Sequence, residues 1–242
     1  MIVVSSQLAQ IDLCLLQLRH GFADEVLYVC LKLDLILMYG FTGTIVGVRC
    51  KDGIALASDT RGTAYYLVLS KRVQKIFKLE ERIGAAISGS SGDIQSLVGL
   101  LRAEANLYRL NHERPISTKS LAQMASNLLH GRRVFPYIVA GVISGLDDDG
   151  PRLYFLDPVG GKLEEEKFAS AGTGSTIAYG VLEQQYRDDM ELEEGAKLAA
   201  QSIRTAIERD AATGEKIVVT LIDEKGYREL TEGEVEELLK EA

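Results

Sequence analysis

The chain has no tryptophan, only 4 prolines in 242 residues, and few cysteines. With so little proline and 23 glycines, tight turns and little extended linker are expected. The 3 cysteines, Cys14, Cys30 and Cys50, form no CxxC pair and sit near no histidine cluster. That excludes a disulfide framework and a thiolate zinc site, and it fits a reducing, cytoplasmic setting with the cysteines as small apolar residues. Basic residues are outnumbered, 27 against 35 acidic, for a net charge of −8. Nucleic acid and anionic membrane are therefore poor partners. No apolar run is long enough to span a bilayer, which takes roughly 18 residues or more. The most apolar stretch, Val26 to Leu37, is broken by Lys32 and Asp34, and no basic amino end precedes it as a secretory signal requires.

What remains is an ordinary globular composition, 46% hydrophobic and 26% charged, in a length suited to one well-buried domain. Residues 1–43 differ from the rest and read as a propeptide or as sequence upstream of the true start. Met38 lies just before the first hairpin, and translation is expected to begin there. Residues 44–242 form the folded domain, with no linker, repeat or low-complexity segment.

The stretch that organises this domain is Thr44 to Asp59. Thr44, Val46 and Val48 alternate on one face, Lys51-Asp52-Gly53 supplies turn chemistry, and Ile54 to Asp59 returns as a second strand. Arg61 to Ser70 is irregular or strand-like. Lys75–Leu79 and Ile83–Ser88 form a strand pair. Two helices follow, one from the Ser88–Asp93 block through Leu110 and one from Ser117 to just before Gly131, with apolar residues at helical spacing. Strands return at Tyr137–Ser144, Leu153–Asp157 and Phe168–Ala171, with Leu146–Pro151 as a turn. Helices at about Ser175–Tyr186 and Glu193–Arg209, a hairpin of Ile217–Asp223 with Tyr227–Leu230, and a short helix within Thr231–Ala242 complete the chain. Strands and helix pairs in this order predict an α+β fold. Two antiparallel sheets pack face to face, with a helix layer outside each, in a four-layer αββα sandwich.

Several blocks recur in order: Lys51-Asp52-Gly53, Ala57-Ser58-Asp59-Thr60-Arg61, Lys75-Ile76-Phe77, Gly89-Ser90-Ser91-Gly92-Asp93, Gly172-Thr173-Gly174-Ser175, Tyr179-Gly180-Val181-Leu182-Glu183, and Glu208-Arg209-Asp210 with Thr213-Gly214. Together they resemble a proteasome β subunit of the archaeal kind over essentially all of residues 42–240. The resemblance implies an N-terminal-nucleophile (Ntn) hydrolase fold and stacked heptameric rings shared with proteasome α subunits and other β subunits. It also implies a regulatory ATPase acting through the α rings and unfolded protein as substrate. No metal or organic cofactor is implied.

It further implies a threonine peptidase released by autocatalytic cleavage. A terminal threonine carries its own base, because a freed α-amine has a reference pKa of about 7.7–8.0. By the family's pattern Lys75 favours the anionic hydroxyl, Asp59 orients that lysine, and the Gly89 N–H receives the oxyanion. Asp210, Thr173 and Thr213 match the supporting network, with threonine at two places where serine is usual. Thr63 matches the residue whose backbone aligns substrate, and Val73 and Ile87 the first side-chain pocket. Asp93 is expected to cap the helix after the glycine-rich turn, and His112 and His130 to be surface residues at helix ends.

One position breaks the pattern. The family's nucleophile lies sixteen residues before the acid and thirty-two before the lysine, and both counts land on Gly43. The usual order of glycine then threonine is here Thr42, Gly43, Thr44. If cleavage falls after Gly43, Thr44 becomes terminal, but one residue along a strand turns a side chain to the opposite face. The readings are an active peptidase using Thr44, a structural β subunit beside an active β paralogue, and a stand-alone Ntn amidase of small oligomeric size.

Overall fold

The computed structural model describes residues 43–64 and 67–240. The readings of the upstream segment, of Met38 as a start, of Cys14 and Cys30, of Thr42 and of Tyr65–Tyr66 lie outside the described residues.

The first hairpin forms as its pattern requires. Strand β1 (Thr44–Arg49) pairs antiparallel with β2 (Ile54–Asp59), from Ile45 opposite Ser58 to Arg49 opposite Ile54. The turn closes with the Cys50 N–H on the Gly53 carbonyl at 2.9 Å. Both strands are buried almost throughout, so they lie inside the molecule. Alternation then sorts the side chains. Ile45 joins Ile54, Leu56, Ile76, Val142 and Leu153 between the sheets, while Val46 and Val48 face a helix layer.

A small hairpin, β3 (Gly62–Ala64) with β4 (Leu67–Ser70), leaves the main sheets and leads into β5 (Ile76–Glu80) and β6 (Ile83–Gly89). Helices α1 (Ser91–His112) and α2 (Thr118–Gly131) follow, then strands β7 (Val139–Asp147), β8 (Gly150–Leu156), β9 (Lys162–Glu164) and β10 (Phe168–Gly172). Helices α3 (Ser175–Gln185) and α4 (Leu192–Arg209) precede the last hairpin, β11 (Ile217–Asp223) with β12 (Gly226–Glu229), and helix α5 (Glu232–Lys240) ends the described chain. The two five-stranded sheets run β10-β1-β2-β11-β12 and β5-β6-β7-β8-β9, with every pairing antiparallel. Helices α1 and α2 cover the second sheet through Leu97, Leu101, Leu121 and Leu129. The first sheet is covered by α3, α4 and α5 through Leu182, Ala199, Ile203 and Val235. The αββα order of layers is as the sequence predicts.

Three details differ. The β7–β8 strands run further than Ser144 and Leu153, because Gly150 at φ 118° allows a turn between Asp147 and Gly150. Pro151 is tolerated there, since Leu146 opposite it donates outward to the Arg82 carbonyl at 3.0 Å. Strand β9 has only three residues, too few for an alternation to register. Asp93 does not cap α1: Ser90 holds the N-cap position, and Asp93 Oδ2 instead accepts the Ile138 N–H at 2.9 Å. The cap-like role falls to a residue far along the chain at the other helix, where Asp147 Oδ1 accepts both the Thr118 N–H and its hydroxyl at 2.7 Å.

Cys50 is buried 2.1 Å from where a Cβ on Gly195 would stand, so α4 packs directly over its sulfur. Burial, helped by Asp52 and Glu194, pushes the thiol up to about 12. The native protein should therefore resist alkylation of Cys50 at pH 8.5 and react only when unfolded, as mass spectrometry with and without denaturant would show.

Candidate active site

The ends of β1, β2 and β10 meet the loop after α4, and Asp59 ties β1 and that loop to Arg61 and Lys75. Its Oδ1 accepts the Thr44 N–H at 2.8 Å and the Lys75 ammonium at 2.5 Å. Its Oδ2 accepts the N–H groups of Arg61 and Gly214, each at 3.0 Å. Four donors from four segments satisfy a carboxylate that is completely buried. Lys75, 2% exposed, makes its second bond to the Arg61 carbonyl at 2.7 Å. Burial lowers the lysine's pKa from its ordinary value, and the Asp59 charge pulls against that.

Gly43 and Thr44 occupy opposite sides of this arrangement. A Cβ on Gly43 would stand 1.9 Å from Lys75 Nζ and 2.3 Å from Asp59 Oδ1, so position 43 faces the lysine. The space is taken by the lysine itself, and the φ of +72° is one that glycine adopts freely. Thr44, fully buried, points the other way, as alternation along β1 requires. Its Oγ1 accepts the Gly174 N–H at 3.0 Å and lies 2.7 Å from Thr213 Oγ1.

The supporting residues converge on the same end. The Thr173 and Thr213 hydroxyls both donate to Asp210 Oδ2 at short range. The Gly43 carbonyl accepts the Thr173 N–H at 3.0 Å and has the Ser88 hydroxyl at 3.5 Å. Gly172 must be glycine for this contact, since a Cβ there would meet the Gly43 carbonyl at 2.0 Å.

Gly89, at φ +143°, ends β6 where a Cβ would stand 2.0 Å from the Ile138 carbonyl. The Ser90 N–H donates to that same carbonyl at 2.8 Å, so Ile138 is gripped at both its carbonyl and, through Asp93, its N–H. A Gly89→Ala variant should lose on the order of 3 kcal/mol or more through backbone collision and strain. Gly92→Ala, on α1 with nothing within 4 Å, should gain about 1 kcal/mol. Thermal unfolding of the two separates a local requirement from a general intolerance of alanine.

Thr63 lies on β3 opposite Val68, and Val73 is held by its N–H on the Thr60 carbonyl at 2.9 Å. Ile87 is buried among the side chains under α1 and α2, and its N–H donates to the Lys75 carbonyl at 2.8 Å. His112 and His130 are exposed on α1 and α2 as expected. Two residues are not reactive and still shape the site: Gly174 through its N–H, and Arg61 through its backbone and its guanidinium. The Arg61 guanidinium lies against Gly214 and bonds the Ala211 carbonyl at 2.9 Å and Glu215 at 3.1 Å, fixing the loop that carries Asp210 and Thr213.

A family model described as proteasome subunit matches residues 41–222. A relative named proteasome subunit beta 1, from Thermococcus onnurineus (strain NA1), is 49% identical over 197 residues, 81% of this chain and 96% of the relative. The chain belongs to the proteasome β-subunit family. Proteasome subunit beta of Ferroglobus placidus (strain DSM 10642 / AEDII12DO) is 43% identical over 197 residues, 81% of this chain and 94% of that one. Proteasome subunit beta of Methanothermobacter thermautotrophicus (strain ATCC 29096 / DSM 1053 / JCM 10044 / NBRC 100330 / Delta H) is 42% identical over 198 residues, with the same shares. The two sheets between helix layers are those of an Ntn hydrolase, and a proteasome β subunit is part of the hydrolase machinery of protein degradation. Among the described residues no helix is long and apolar enough to cross a membrane.

Proposed function

We propose that this chain is a non-catalytic β subunit of the proteasome core particle. It assembles in rings with other proteasome subunits, including α subunits and an active β paralogue, and does not itself hydrolyse peptides. One observation carries the reading: the side chain that would face Lys75 and Asp59 is missing at Gly43, while the Thr44 hydroxyl is committed to Gly174 and Thr213. A nucleophile turned away from the lysine that would activate it is as good as absent, and losing one outright costs on the order of 10⁶ in turnover. Stacked heptameric rings, a regulatory ATPase at the α rings and unfolded protein as the substrate of the whole particle complete the proposal.

A second reading has its own support. The Gly43 carbonyl sits between two donors, the Thr173 N–H and the Ser88 hydroxyl, and the Thr44 hydroxyl leads through Thr213 to the Asp210 carboxylate. This favours attack of Thr44 Oγ1 on the Gly43 carbonyl carbon, with its proton passing to Thr213 and on to Asp210. That proton returns through Thr213 to the Thr44 nitrogen as the C–N bond breaks and the acyl group moves to oxygen. Nitrogen leaves as the amine, and water then hydrolyses the ester. Gly43 is left with a carboxyl group and Thr44 with a free amine.

Assembled particles treated with an electrophile that traps amino-terminal threonine distinguish the two. The expected result is no adduct on this chain and an uncut Thr42-Gly43-Thr44 segment in its peptide map. An adduct on Thr44 overturns the non-catalytic reading.

A further inference from the structure

We draw no further inference here: the strongest candidate, the outward face of helix α1 where Gly92 and Gly99 meet nothing within 4 Å beside the exposed Leu100, Leu107 and Leu110, is an unpartnered apolar face, and nothing in the structure shows what covers it.

Discussion

Exchanging two neighbours, in the double variant T42G/G43T, is expected to give this chain a trappable amino-terminal threonine and peptidase activity. The reason is register. Asp59 and Lys75 already stand where a side chain at position 43 would be, joined by a 2.5 Å hydrogen bond. Glycine before threonine restores the order that family members cleave. Gly43→Thr alone should fare worse, because threonine and not glycine then precedes the cut. In either variant the Cβ at position 43 would collide with Lys75 and Asp59, and a threonine at φ +72° is strained. Cleavage relieves the conflict, because a terminal residue has no preceding peptide to fix its φ. The measurement is electrophile labelling and turnover in particles whose other β chains have been inactivated beforehand. A rise of at least about 10³ over the parent chain is expected, within a ceiling on the order of 10⁶. If the double variant is cut just before position 43 yet stays inert, then Asp59, Lys75 and Gly89 are not a competent site. If the parent chain already matches it, the non-catalytic proposal is wrong.

The second large effect concerns stability. Whether or not it serves chemistry, the Asp59–Lys75 pair is buried at the junction of four chain segments, and removing one partner strands the other. Lys75→Met or Asp59→Asn should cost about 3–5 kcal/mol. For a domain of this size that lowers the Tm by roughly 6–20 °C. Replacing both, as D59N/K75M, should recover part of the loss, since no charge is then left buried alone and the amide oxygen still accepts a backbone N–H. A drop below about 1 kcal/mol in either single variant would mean that the pair is not structural. The lysine also sets a pH dependence. Its folded pKa lies below its ordinary value, so between the two the unfolded chain binds more protons than the native one. Native stability therefore rises with pH through that window, and Lys75→Met should remove the rise.

Much of this protein is legible in the sequence because the information is local. The β1–β2 hairpin follows from period-two alternation and Lys51-Asp52-Gly53, and the helices from three-to-four spacing of leucine and alanine. The offset at Gly43 is a matter of counting along two uninterrupted strands, and the structure has the same register, with position 43 toward Lys75. The αββα layering follows in turn, since the apolar faces have few other ways to be covered.

Tertiary structure alone decided how polar groups far apart in the chain are matched. Asp93 looks like a helix cap because it closes a glycine-rich turn, yet its partner is Ile138, 45 residues away. Asp147 belongs by sequence to a turn and by contact to the start of α2. Thr44 differs from a usable nucleophile only in which neighbours its hydroxyl meets, Gly174 and Thr213, 130 and 169 residues on. Alternation says that adjacent residues in a strand face opposite ways, but it cannot say which side holds the lysine. That side is set by where β5 packs against β2 and where the loop after α4 meets Thr44, and there Lys75 lies on the side of Gly43.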